Sequence, residues 1–182
     1  VNLPLFASLA CLDSSVYVTY SKFNDNDSDG AVSKDDTSTL YFFKGTIEGT
    51  SWSSTQSFTS PQSCSIHPQL AVYDSNVQLG FVEVDSFLNA SLYRYTSTDS
   101  GSTFSSAPTK LGSIFYSQLM EKQNRVYSIS QLGSSFYYAF SDSRGNGTIN
   151  CYFNDPSISS DVLYQLNASH AINYSARVGT FA

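Results

Sequence analysis

Residues 97 to 104 read Ser-Thr-Asp-Ser-Gly-Ser-Thr-Phe, the pattern Ser-x-Asp-x-Gly-x-Thr-aromatic, and weaker copies recur at matching places along the chain. One unit is being repeated. A repeat of roughly 40 to 50 residues built from short strands cannot bury its apolar faces alone and must stack on its neighbours, which removes most other folds from consideration. Leu40-Tyr41-Phe42-Phe43 leads to Gly49-Thr50-Ser51-Trp52, Leu92-Tyr93-Arg94-Tyr95 leads to Gly101-Ser102-Thr103-Phe104, and Phe136-Tyr137-Tyr138-Ala139 leads to Gly145. Upstream, Leu9 to Val16 matches Leu70 to Val77, and Leu119 to Val126 occupies the same slot with poorer identity. From each glycine to the next leading leucine is 21, 18 and 18 residues (Gly49 to Leu70, Gly101 to Leu119, Gly145 to Leu163), so Leu163 is expected to open a fourth unit.

These units predict an all-β chain, a β-propeller of antiparallel four-stranded blades with three full blades and a partial fourth. The expected repeats are 9–61, 70–111, 119–156 and a partial one over 163–182, all within a single domain of residues 1–182. Thirteen Tyr and thirteen Phe in a Ser/Thr-rich chain favour pleated, half-buried strands, and no segment shows a sustained helical period. Alternation is clearest at Val16, Val18, Tyr20 and at Val77, Leu79, Phe81, where one face of each strand is expected to be buried.

The turn chemistry explains the pattern of residues 97 to 104. An Asp side chain accepts hydrogen bonds from backbone N–H groups further along, Gly takes a positive φ, and the aromatic anchors the turn from beneath. The pattern resembles the Asp box, or BNR repeat, found in sialidases, sortilin-type receptors and other propellers. Ser97, Asp99, Gly101, Thr103 and Phe104 match it fully. Residues 45 to 52 keep Gly49 and Trp52 but carry Ile47 in place of Asp, and residues 141 to 148 keep Gly145 but lose the aromatic.

Charged residues are 13% and the net charge is −6, which argues against nucleic acid or an anionic membrane as partner. No apolar run reaches the length of a membrane span. Five sequons, at Asn26, Asn89, Asn146, Asn167 and Asn173, point to a secreted glycoprotein carrying N-linked glycans, with its signal peptide already removed. Cys11, Cys64 and Cys151 permit one disulfide in that compartment, and Cys11 with Cys64 is the favoured pair.

A second loaded segment, Asp25-Asn26-Asp27-Ser28-Asp29-Gly30-Ala31-Val32-Ser33-Lys34-Asp35-Asp36, has the spacing of an EF-hand-like calcium loop. Asp25, Asp27 and Asp29 alternate as hard oxygen ligands, Ala31 offers its backbone carbonyl, and Asp36 closes the shell. The ordinary alternative is a solvated acidic loop. Calcium loops resembling this one occur between strands of integrin-type propellers, without flanking helices.

The likeness to sialidases implies a test of its own, since their chemistry needs three arginines gripping a substrate carboxylate, a tyrosine nucleophile paired with a glutamate, and an acid/base aspartate. Arg94, Arg125, Arg144 and Arg177 do not occupy equivalent inner-strand places, and Glu83 and Tyr17 read as surface or core. His67 and His170 form no Ser-His-Asp arrangement. Tyr41, Tyr93, Tyr95, Tyr137 and Tyr138 suit either a sugar-stacking surface or packing between blades. No catalytic residue is therefore assigned. The combined expectation is a secreted, N-glycosylated, calcium-binding propeller with a non-enzymatic role in adhesion, recognition or extracellular assembly, through a glycan or protein ligand. The alternative is a fragment of a sialidase-like glycoside hydrolase. An open edge remains to be covered, by the return of Asn2 to Ser8, by self-association, or by further chain.

Overall fold

The computed structural model describes residues 2–26, 28, 36–59, 63–85, 89–114, 127–141, 148–154 and 162–167, of which 2–5, 63, 141, 148–154 and 162–167 are described as backbone only. Among the described residues twelve strands form three four-stranded antiparallel sheets in sequence order. The first holds β1 (Asn2–Leu12), β2 (Ser15–Asn24), β3 (Thr37–Thr46) and β4 (Gln56–Thr59). The second holds β5 (Ser63–Tyr73), β6 (Asn76–Asp85), β7 (Ala90–Ser97) and β8 (Thr109–Ile114). The third holds β9 (Tyr127–Leu132), β10 (Ser135–Ser141), β11 (Thr148–Asn154) and β12 (Val162–Asn167). Each sheet is one blade, and its first strand is the inner one.

Two-residue hairpins join the first and second strands of every blade, and they set the true register of the repeat. Leu12 pairs with Ser15, Tyr73 with Asn76 and Leu132 with Ser135. The residue that opens each turn has positive φ: Asp13 at 52°, Asp74 at 51° and Gly133 at 58°. Asp tolerates this conformation better than most side chains, and Gly adopts it freely. Leu9 and Leu70 are thus equivalent, as the sequence implies, but their counterpart in the third blade is Ile129.

That register corrects the third unit. Leu119 lies outside the described residues, and Phe136 to Ala139 belongs to the second strand of its blade, where a third strand was expected. Leu163 pairs with Tyr152 in the outer strand of the third blade and opens no new unit. The N-terminal segment does not return to a last blade either, because Asn2 to Leu5 pairs with Ser21 to Asn24 within the first.

Side-chain hydrogen bonds replace backbone pairing where one inner strand meets the next. Leu70 N–H donates to Ser8 Oγ at 3.2 Å, and at the equivalent place Ile129 N–H donates to Gln69 Oε1 at 3.3 Å. Gln69 Nε2 also donates to the Tyr127 carbonyl at 2.7 Å, so one amide satisfies both a donor and an acceptor of β9. Ser38 plays the same part from β3, donating to the Ser65 carbonyl at 2.8 Å and accepting from Ser65 N–H. Around these bonds lie two cores. Tyr17, Phe42, Leu70, Val72, Val77 and Leu79 pack between the first and second blades. Val82, Val84, Leu92, Ile129, Phe136 and Phe140 belong to the cluster between the second and third.

Gln69→Met keeps the volume but leaves Ile129 N–H and the Tyr127 carbonyl without their partner. A loss of about 2 to 3 kcal/mol is expected, against about 1 for Ser8→Ala. Urea unfolding midpoints of the two variants check this.

Candidate functional site

The two ends of each blade are built differently. At one end, the turn between third and fourth strands is tied to the inner hairpin, by Ile47 N–H to the Ser14 carbonyl at 2.9 Å and Ser100 N–H to the Ser75 carbonyl at 2.7 Å. The inner strands enter at the opposite end, where the β2–β3 and β6–β7 connections also lie. That entry end carries the candidate site, and the turns at the other end hold the blades together.

The Asp-box turn of the second blade is wired as its residues imply. Asp99 Oδ1 accepts from Thr103 N–H at 2.8 Å and from Ser97 Oγ at 2.7 Å, while Oδ2 accepts from Thr103 Oγ1 at 2.6 Å. These bonds, the Thr103 hydroxyl first, hold the Asp99 carboxyl down at about 2. Ser97 Oγ also accepts from Gly101 N–H at 2.9 Å.

The aromatic anchor does more than brace its own turn. Phe104 meets Phe42 edge-on at 4.9 Å and Phe58 at 5.3 Å, both in the first blade, and Gln56 Nε2 donates to the Gly101 carbonyl at 2.6 Å. Gly101 has φ of 80°, and a Cβ there would lie 2.6 Å from Phe42 Cζ. The first-blade turn lacks the Asp. It is held by backbone bonds from Thr46 N–H to Ser51 O and from Gly49 N–H to Thr46 O, with Trp52 covering Gly45. Gly145 lies outside the described residues, between β10 and β11 in the sequence.

At the entry end, Phe6 and His67 occupy equivalent bulges of β1 and β5. Strand register slips at both, φ is 58° and 52°, and the two rings meet at 3.8 Å between centroids. His67 is buried, and no partner is found for either ring nitrogen among the described residues. Burial drives its pKa down to about 4, so the imidazole is neutral.

The acidic loop opens on the same end. Asp25 and Asp36 flank it, Asp36 is buried, and Asn26 N–H donates to Asp36 Oδ1 at 2.8 Å, closing the loop at its neck. Asp27, Asp29 and Ala31 lie outside the described residues. Among the described residues no group of three or more His, Cys, Asp or Glu side chains is placed to hold a metal ion. Of the sequons, Asn26 and Asn89 are exposed, Asn89 hydrogen-bonded to Asp85; Asn167 lies in β12, and Asn146 and Asn173 are outside the described residues.

The favoured disulfide is corrected here. Cys11 is exposed and Cys64 is buried, and the two form no disulfide with each other. Cys11 is equivalent to Val72, eight residues along the inner strand from Cys64, which at about 3.3 Å per residue is roughly 25 Å, far beyond a disulfide's reach. Cys151 lies in β11, opposite Tyr164. Tyr17 is core, with Lys44 Nζ 5.5 Å from its ring centre. Arg94 is buried opposite Gly80, on the sheet face that meets Tyr127 and Tyr138. Arg125, Arg144, Arg177 and His170 lie outside the described residues. Tyr95 packs on Phe58 of the first blade at 4.4 Å, and burial, then Glu83, raises its pKa. The sequence reading missed Ser8, Gln69 and the Phe6–His67 pair. Their one signal is position, a polar or irregular residue just ahead of each leading apolar residue.

No protein-family model matches the chain, and no curated protein is similar to it by sequence. Solved structures do match. A Hadza microbial sialidase superposes on 90% of this chain with a TM-score of 0.57 at 10% identity, over 33% of its own length. Trypanosoma rangeli sialidase, solved with the inhibitor DANA, superposes on 90% with a TM-score of 0.55 at 12% identity, over 28% of its length. The chain therefore has the fold of part of a sialidase-type β-propeller and spans about a third of these enzymes. Among the described residues no helix is long and apolar enough to cross a membrane.

Gly101→Ala must force a Cβ into Phe42 at positive φ and is expected to cost about 2 to 4 kcal/mol. Gly49→Ala, with φ of 68° and nothing within 4 Å, bears the backbone strain alone, about 1 kcal/mol. Thermal unfolding of both variants separates the two terms.

His67 gives a pH prediction. Its pKa falls from 6.5 to about 4 on folding, so its contribution is complete above pH 6.5 and is lost as the pH drops toward 4, by about 3 kcal/mol in full. His67→Phe, which copies Phe6, is expected to flatten that part of the stability profile, read as urea midpoints between pH 7 and 4.5.

Proposed function

We propose that this chain is a three-blade portion of a sialidase-like glycoside hydrolase propeller that acts on glycans at the entry end of its inner strands. The superposition on two sialidases over 90% of the chain carries this reading. The division of the blade ends supports it. Asp-box turns brace one end, leaving the other, with His67, Asp25 and Asp36, free to be shaped by a ligand. The residues that would grip a substrate carboxylate belong, on this reading, to segments outside those described.

A second reading is a recognition or adhesion propeller without turnover. It is favoured by Arg94, the one arginine among the described residues, which is built into the contact between second and third blades and does not stand at the entry end. Secretion, N-glycosylation and calcium belong to both readings. Asp25 and Asp36 would offer carboxylate oxygens to the ion from the neck of the loop, and Asn26 and Asn89 are exposed as a glycan acceptor requires.

Turnover of a fluorogenic sialoside is the deciding measurement. Release of the fluorophore supports the hydrolase reading, and glycan-array binding without release selects the second. Run with calcium and with a chelator, the same preparation tests the loop. A melting temperature that chelation leaves unmoved would remove calcium from the proposal.

A further inference from the structure

The inner strands of the first and second blades carry matching irregularities at their entry end. Register slips at Phe6 in β1 and at His67 in β5, three residues ahead of the equivalent Leu9 and Leu70. Both residues hold positive φ, 58° and 52°, a conformation that bulky side chains keep only when their surroundings impose it. For His67 the departure is larger still, because Pro68 follows and the residue before a proline favours extended backbone. The two strained residues face each other, with ring centroids 3.8 Å apart and planes at 38°.

The two rings differ in how far they are enclosed. His67 is 1% exposed, whereas Phe6 is half-buried and rests on the core cluster that contains Ile66 and Val82. A neutral imidazole tolerates such a place, but an imidazolium needs a partner there, and neither ring nitrogen has one among the described residues. The enclosure is made within this chain, so further blades of a longer polypeptide do not reach those nitrogens.

No charge on the surrounding strands compensates. β5 packs against β1, β2, β3, β6 and β9. At the height of the bulges β1 brings no titratable side chain among the described residues, and Lys22 of β2, alternating with buried Ser21 and Phe23, lies on the other face. Asp36, just ahead of β3, accepts from Asn26 N–H; Asp85 of β6 is tied to Asn89, and Glu83 stands opposite Ser65. Tyr127 opens β9 and is itself buried. None of these groups shifts His67, for which burial is the one cause.

Phe6 is the ring that solvent reaches, so it is the side that can yield. Toward the Asp-box end, Leu70 N–H to Ser8 Oγ ties β5 to β1, and Ser38 ties β3 to Ser65, so movement is confined to the bulges.

We propose that Phe6 and His67 form an acid-released latch between the first two blades. Protonation drives the imidazole out past Phe6, both bulges relax, and the entry ends of β1 and β5 part. The glycan-facing end is then firm at neutral pH and open in acid, and only this last consequence rests on the proposed function. The latch itself is read without turnover.

Hydrogen exchange of the whole chain, followed by mass spectrometry and corrected for its intrinsic pH dependence, tests it. Between pH 7 and 4.5, protection over residues 5–9 and 65–70 is expected to fall about fifty-fold, as a pKa of about 4 against 6.5 requires, while residues 97–105 keep theirs. His67→Phe is expected to retain the neutral-pH protection and to lose the acid step. Phe6→Leu opens the imidazole to solvent and moves the step toward pH 6.5, which the imidazole proton resonance also reports. The chain has two histidines, so His170→Gln leaves that signal unambiguous. An acid step that survives in His67→Phe overturns the proposal, as does protection lost together at residues 97–105 or a wild-type His67 resonance titrating near 6.5. Should His67→Phe fail to fold, wild-type exchange and the Phe6→Leu titration still decide.

Discussion

The contact between successive blades carries this structure. A four-stranded sheet with apolar residues on both faces cannot persist in water by itself, and the inner strands run alongside one another without a shared hydrogen-bond ladder. The chain solves this with side chains. Gln69 presents a carbonyl and an amide to β9 as a neighbouring strand would, and Ser38 does the same for Ser65 with one hydroxyl. These bonds fix the height of one blade against the next, and the aromatic layer fills the space between them.

The Asp box belongs to this same junction. Viewed as a turn, it satisfies its own backbone through Asp99 and Ser97. Its glycine and its aromatic, however, meet Phe42 and Phe58 across the blade boundary. A residue pattern that looks local therefore serves a contact between sheets. Concentrating the rigid bonds at that end leaves the opposite end to irregular features, such as the paired bulges at Phe6 and His67 and the acidic loop, which a packed core could not accommodate.

Much of the fold was legible because turns constrain residue type tightly. Asp13, Asp74 and Gly101 stand where the backbone takes positive φ, and period-two alternation follows from one face of each strand being buried. The third unit was misread for a related reason. Its hairpin uses Gly133 in place of Asp and its leading residue is Ile129, so a search for leucine settled on Leu119. The favoured disulfide failed because equivalence of strands says nothing of height along them. The Phe6–His67 stack joins residues 61 apart and leaves no mark in either local sequence.

By itself the sequence determined the class of fold, the repeat, and the turn chemistry of residues 97 to 104, since these rest on local conformational preferences and short-range hydrogen bonds. Only the tertiary structure decided which strands are equivalent, that His67 is buried and neutral, that Cys11 and Cys64 are far apart, and which apolar faces are covered. Those outcomes depend on distances between chemically unremarkable residues brought together from different blades. No local pattern of residues encodes them.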